Sequence, residues 1–350
     1  MTRSRPGGRW SADRLPVGSV LLAGCITGPA GINLISPGVL TVLDAIGPAA
    51  LAAIGVRVGL MLPVSRIRTH SWSAGLLDAL LCVVIVSGGI WLLAPVVSPG
   101  PSSTPVALFA VLAAICAGTS SVVTGPTDST RTGRLVAETG SVPLLVLGAL
   151  ALAWARHGSP GSALSFVIQS NGIALVFAAA GWLALRYAAS ANEQQVFAVA
   201  TLALVGGAAD YLAASSLLAG VLAGLLWRAA SGPAFELISR NTNLVLYPSL
   251  GLVLLMAGAH AELTHPDLPL LAIAYVALRT AAKRLSGLLL HRLLSGSTQL
   301  LAPGVLGVAL ALNLLRAAGP DASLLLSVVV VGTIGADWLA AFSRSTERRA

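Results

Sequence analysis

The residues of this chain that could do chemistry are few, and they stand out against an apolar background. From Thr119 to Gly148 runs TSSVVTGPTDSTRTGRLVAETGSVPLLVLG, a stretch that joins two apolar segments yet is crowded with hydroxyls, glycines and prolines. It carries Glu138 at the entrance to an apolar run from Val142 to Trp154. Burial raises the pKa of a carboxylate toward neutrality, so one acid in a partly desolvated cavity holds a proton or a cation but not both. Thr119, Ser120 and Ser121 add hydroxyl oxygens that can replace part of an ion's water shell, and Thr127 and Asp128 in GPTDS offer a second placement of the same polar break. Plainer roles exist for each. Glu138 can sit in the first turn of its span and meet the helix dipole, and the hydroxyls can bond back to the i−4 carbonyl. Arg279 and Lys283 lie four residues apart within a later apolar segment and share one helix face. A cation inside a membrane helix marks a functional position unless it snorkels to the headgroups. Lys283 and its neighbour Arg284 stand near the end of their segment and read as snorkelling, whereas Arg279 lies deeper.

The elements that must hold these groups follow from composition. Hydrophobic residues make up 56% of the 350 and charged residues 10%, with a mean hydropathy of +0.86. Soluble domains carry about 25% charged residues, so this surface faces lipid. Apolar segments able, or nearly able, to cross about 30 Å of hydrocarbon fall at 16–34, 38–62, 73–97, 105–124, 139–156, 163–188, 195–210, 211–229, 243–262, 268–289, 302–317 and 322–343. Asp210 is the only interruption between the seventh and eighth. Residues 1–15 then form a basic cytoplasmic tail, 16–343 a transmembrane domain and 344–350 a second cytoplasmic tail. The 37 glycines suit helices that pack backbone to backbone. Cys25, Cys82 and Cys116 lie in apolar runs without CxxC spacing and read as small buried hydrophobes.

Basic residues set the topology. Alternating from a cytoplasmic N-terminus puts 17 of the 21 in inner segments, two (Arg156 and Arg316) in outer ones and two (Arg57 and Arg279) within spans. This predicts a multi-pass protein of the cell membrane with both termini inside, its first span retained as an anchor. The net charge of +8 is dispersed among loops, which speaks against nucleic acid as a partner. Other polar residues inside spans read mainly as structural: Asp337, Arg57 with Asp44 or Asp78 as its partner, and Gln169 and Asn171 bonding across helices. His260 and His265 read as solvated loop histidines.

Several motifs together resemble the membrane domain of monovalent cation:proton antiporters of the Kef and sodium/hydrogen exchanger kind. They are GSVLLAGCITGPAGINLISPGVLTVLDAIG (18–47), VGLMLPVSRIR (58–68), SSLLAGVLAGLLW (215–227), LMAGAHAEL (255–263), ALRTAAKRLSG (277–287) and LAPGVLGVALALN (301–313), in the family's order. The resemblance implies an all-α polytopic fold of about twelve helices, with inverted repeats and two broken helices that cross. It implies exchange of Na+ or K+ for H+ by alternating access, in a lipid bilayer, as a homodimer and without a cofactor. Glu138, Thr119, Ser120 and Ser121 fall at the cation/proton site, Arg279 and Lys283 at charge-compensating positions, and Pro303 and Gly304 at the second crossing. Two registers of the acidic motif stay open. One sets Ala137–Glu138 on the family's amide–aspartate pair; the other makes Glu138 an outlying acid and lets the ion-binding aspartate fall on Val142 or Pro143. Met61 and Pro63 replace acids usual in the family, and its usual first helix has no counterpart before Val17. A non-transporting relative kept as a binding scaffold is the alternative these departures suggest. Paired DxxxD, HExxH and GxSxG motifs are absent, so an enzyme is not expected.

Overall fold

The computed structural model describes residues 17–62, 69–93, 95, 106–119, 131–230, 233–294 and 304–347, without the side chains of some helix-end residues. Among these lie twelve α-helices and no strand: α1 (Val17–Thr27), α2 (Pro37–Met61), α3 (Thr69–Leu93), α4 (Val106–Gly118), α5 (Arg131–His157), α6 (Pro160–Tyr187), α7 (Ala191–Tyr211), α8 (Ser216–Ala229), α9 (Pro233–Ala259), α10 (Leu268–Leu294), α11 (Val305–Ala318) and α12 (Ser323–Glu347). The protein is therefore all-α, with one helix for each apolar segment.

Local chemistry sets many of the ends. Ser36, Ser159, Ser190 and Ser215 cap α2, α6, α7 and α8, each accepting a hydrogen bond from a backbone N–H three residues on. Pro37 and Pro160 follow two of these caps at the position where a missing N–H costs nothing. Three departures from the expected spans have physical reasons. The first span stops at Thr27 because Pro29 cannot continue a helix, and residues 28–35 form a turn. The division beside Asp210 is a four-residue turn, 212–215, with Ala213 at φ 55°. The fifth helix starts at Arg131, eight residues before the apolar run begins at 139, so Glu138 stands two turns inside α5 and not in its first turn.

Large apolar side chains cover the outside. Val84, Trp91, Leu92, Ile168, Val176, Ile273 and Leu288 are all more than half exposed, which water would penalise and hydrocarbon does not. Segments of α2, α3, α5 and α6 are long and apolar enough to cross a membrane alone. By contrast α1, α4, α8 and α11 have 11, 13, 14 and 14 residues, about 16–21 Å at 1.5 Å per residue.

The helices sort into two groups. One comprises α1, α2, α6, α7, α8 and α9; the other comprises α3, α4, α5, α10, α11 and α12, two long–short–long triplets. Within the first group, α2 and α8 touch backbone to backbone. A Cβ on Gly55 would stand 2.2 Å from the Leu217 carbonyl oxygen, and one on Gly220 would stand 2.3 Å from that of Ala52. Gly24 of α1 and Gly258 of α9 make the same kind of contact. With no hydrophobic drive between helices in lipid, such close approach supplies the dispersion energy that holds them. Trp227 of α8 is buried and donates its indole N–H to the Ala178 carbonyl at 2.9 Å, and the Arg228 guanidinium donates to the Leu60 carbonyl at the end of α2. Between the groups the contacts are sparser, chiefly α1 with α12, α9 with α11 and the consecutive pair α5–α6.

Candidate functional site

Two short helices meet end to side in the second group. The chain of α4 runs toward this point and that of α11 starts from it. A Cβ on Gly307, in the first turn of α11, would stand 2.5 Å from the Cys116 carbonyl oxygen and 2.8 Å from Thr119 Oγ1. Only glycine admits so close an approach. Gly304 is the N-cap of α11, buried, with φ −90° and ψ 147°, and no side chain caps this helix start. A helix terminus carries about half an elementary charge. The negative end of α4 and the positive end of α11 are therefore brought together inside the bundle.

A polar cluster on α10 and α3 answers the α4 end. Arg279 Nε donates to the Ala117 carbonyl at 3.0 Å, and Lys283 Nζ donates to the Gly118 carbonyl at 3.0 Å. These carbonyls belong to the last turn of α4, where no further helical N–H reaches them. Lys283 Nζ also lies 2.7 Å from Asp78 Oδ2, and Ser286 Oγ donates to Asp78 Oδ1 at 2.6 Å. Residues 279, 283 and 286 share one face of α10. The Lys283 and Asp78 side chains are 1% and 2% exposed, so water screens this pair very little. Lys283 does not reach the headgroups as its place near the segment end had suggested; its stem turns inward because a carboxylate and a helix terminus await it there. Asp78 is engaged with Lys283 and Ser286, and Asp44 with Arg316 and His260, so the partners first considered for Arg57 are committed elsewhere.

The helix bearing Glu138 passes this cluster. A Cβ on Gly140 of α5 would stand 2.8 Å from the Gly75 carbonyl oxygen of α3, one turn before Asp78. Leu144 reaches Gly118 at the end of α4, where a Cβ would stand 2.7 Å from its Cδ1. The 138–144 segment of α5 thus flanks both the Asp78–Lys283 pair and the α4 terminus. The Glu138 side chain lies outside the described residues, as do Ser120, Ser121, Thr127, Asp128 and Pro303 entirely. Thr119 is buried, and its hydroxyl donates to the Cys116 carbonyl at 2.8 Å, leaving oxygen lone pairs free to accept. Thr139 and Ser141 are buried on α5 beside Glu138.

Outside the cluster, Asn171 and His260 settle differently from their sequence reading, whereas Asp337 and the cysteines agree with theirs. Asn171 donates to Val167 on its own helix at 2.8 Å instead of across helices. Asp337 of α12 accepts from the Gly18 N–H at the start of α1 at 2.8 Å. His260 is partly buried, with Nε2 3.0 Å from Asp44 Oδ1. Cys25, Cys82 and Cys116 are free and buried. Sequence reasoning did not pair Asp78 with Lys283, and the lone aspartate within the third apolar segment was the one available signal.

No protein-family model and no curated protein matches the chain. Among solved structures it is similar to the sodium proton antiporter MjNhaP1 from Methanocaldococcus jannaschii at pH 8. The TM-score is 0.62 at 13% identity, over 93% of this chain and 89% of that one. With apolar helices facing outward and two short helices crossing within, the chain is a multi-pass membrane protein with the fold of a monovalent cation:proton antiporter.

Proposed function

We propose that the chain exchanges a monovalent cation, Na+ or K+, for H+ across the cell membrane by alternating access, with both termini cytoplasmic. The observation that carries this reading is the buried α4–α11 crossing with Arg279 and Lys283 on its α4 end. Placing two helix termini and two cations in a low-dielectric interior is costly, and a structural bundle has no need of it. Facing one another, they form a polar spot at which an ion can exchange water for protein oxygens. Glu138 is the group that trades a proton for a cation. A carboxylate in a partly desolvated site holds either a proton or a cation but not both, so the two ligands compete for one charge. The Thr119 hydroxyl supplies a further oxygen. Arg279 and Lys283 neutralise the α4 terminus, and Asp78 holds Lys283 in that position. The sparse seam between the two helix groups supports movement of α3–α5 and α10–α12 against the rest, carrying the site from one side to the other. An ion gradient drives the cycle, and no bond is made or broken.

The test is ion-driven proton movement in proteoliposomes containing the full chain and an internal pH dye. Adding Na+ or K+ outside should shift internal pH within seconds, and liposomes without protein should not respond. Silence with both cations at several pH values overturns the proposal.

A further inference from the structure

At the end of the molecule away from the α4–α11 crossing, α11 is tied across the seam by two of its side chains. Arg316, about 18 Å along the helix from Gly304 at 1.5 Å per residue, makes a two-pronged contact with Asp210 in the last turn of α7. Its Nε lies 3.2 Å from Oδ1 and its Nη2 lies 3.1 Å from Oδ2. Its Nη1 also lies 3.3 Å from Asp44 Oδ1 on α2, the oxygen that His260 approaches from the end of α9. The guanidinium passes over Gly47 of α2, where a Cβ would stand 3.1 Å from Nη1. Asn313 lies three residues earlier on the same face. Its Nδ2 donates to Ser215 Oγ and its Oδ1 accepts from the Ser216 N–H, both at 3.1 Å, at the start of α8. Asn313 is buried and Arg316 half-buried. Next to the Asn313–Ser215 contact, a small cavity lies between α5, α6 and the turn before α8, lined in part by Ser170, Asn171 and Ser215.

We propose that Arg316 and Asn313 form a gate: they hold this end of the seam shut, and this end opens only when α11 releases Asp210, Asp44 and the α8 N-terminus. The inference rests on the alternating-access reading above, because a gate has work to do only where the two groups move. Its construction is specific to a releasable closure. Elsewhere the seam also carries single hydrogen bonds, such as those from the Gly18 N–H to Asp337 and from Arg156 to the Ala213 carbonyl, whereas here one helix from the moving group offers a fork of donors to carboxylates on two helices of the other. Such charge-assisted pairs are directional, hold at one geometry and are lost together after a small displacement. They are also partly exposed, with the two aspartates at 31% and 37% side-chain exposure, so water can take over when they part.

The experiment reads access directly and needs no transport. In the full chain with its three cysteines replaced by alanine, Ser170→Cys places a reporter thiol in the cavity. The protein is reconstituted in lipid nanodiscs and treated with a membrane-impermeant maleimide. The parent should label slowly. Arg316→Gln removes the charge-assisted contacts to both Asp210 and Asp44 and should label at least about tenfold faster, the population shift expected from losing even one such contact. Arg316→Lys, which keeps the charge but loses the fork, should fall between. If Arg316→Gln does not yield monodisperse protein, Asp210→Asn, of nearly the same shape, carries the comparison and should also accelerate labelling. Fast labelling in the parent, or equal rates in parent, Arg316→Gln and Asp210→Asn, overturns the gate. A chain that labels as proposed but moves no protons keeps the gate and loses the exchange reading. A chain that exchanges ions with unchanged labelling loses the gate alone.

Discussion

Three carboxylates illustrate how differently one residue type behaves in this bundle. Asp78 is almost wholly buried and locked to Lys283 and Ser286, Asp44 is half-exposed between Arg316 and His260, and Glu138 lies two turns inside α5 beside the crossing. For the locked pair, removing one partner leaves the other charged in a low-dielectric site. Lys283→Met should destabilise the folded chain by about 3–5 kcal/mol, whereas adding Asp78→Leu should recover most of that loss. Thermal unfolding of the purified protein in detergent measures both, and additive losses in the double variant would mean the two side chains do not act as a pair. For Glu138 the expected change is in activity and not in stability. Glu138→Gln keeps the shape and removes the charge, so cation-driven proton movement should fall to the level of empty liposomes. Unchanged movement would assign the exchanging acid elsewhere. Arg279 was already marked as deep by its place in the sequence. The partners of Lys283 were not legible, because Asp78 and Gly118 are 205 and 165 residues away along the chain.

Among elements, the pairing of α2 with α8 depends on what is missing from their surfaces. Gly55, Gly59, Gly220 and Gly224 let the two backbones touch, and each added Cβ would fall within 2.3 Å of a carbonyl oxygen. Gly220→Val should therefore push the helices apart and lower stability by about 1–3 kcal/mol or more. Gly251 of α9 is the control, because a Cβ there meets nothing within 4 Å. Gly251→Ala should be neutral or stabilising, by up to about 1 kcal/mol from helix propensity. Melting temperatures that fail to separate the two variants would refute the close-packing account. Element existence was readable from the length of the apolar runs and the polar residues that separate them. Pairing was not, because a small-residue stripe fits any partner of complementary shape.

At the scale of the molecule, two groups of six helices share a thin seam, and the proposed cycle requires them to slide. A Ser215→Cys/Asn313→Cys pair replaces two side chains that lie 3.1 Å apart across that seam. In the background without native cysteines, joining them with a short thiol cross-linker should abolish proton movement in proteoliposomes. The same double variant without the linker should retain more activity. Full exchange in the cross-linked protein would exclude relative motion of the two groups at this level.

By itself the sequence determined the membrane setting, the number and approximate limits of the helices, and the polar stretch around Glu138 as the unusual feature. These depend on local quantities: hydropathy over twenty residues, and proline and glycine placement. Tertiary structure alone decided that α4 ends against α11, that Lys283 turns inward to Asp78, and that Arg316, expected in an outer segment, reaches back to two aspartates 106 and 272 residues away. The physical reason is that a charge within a membrane protein must find a partner somewhere, but the chain's periodicity says nothing about which distant helix will supply it.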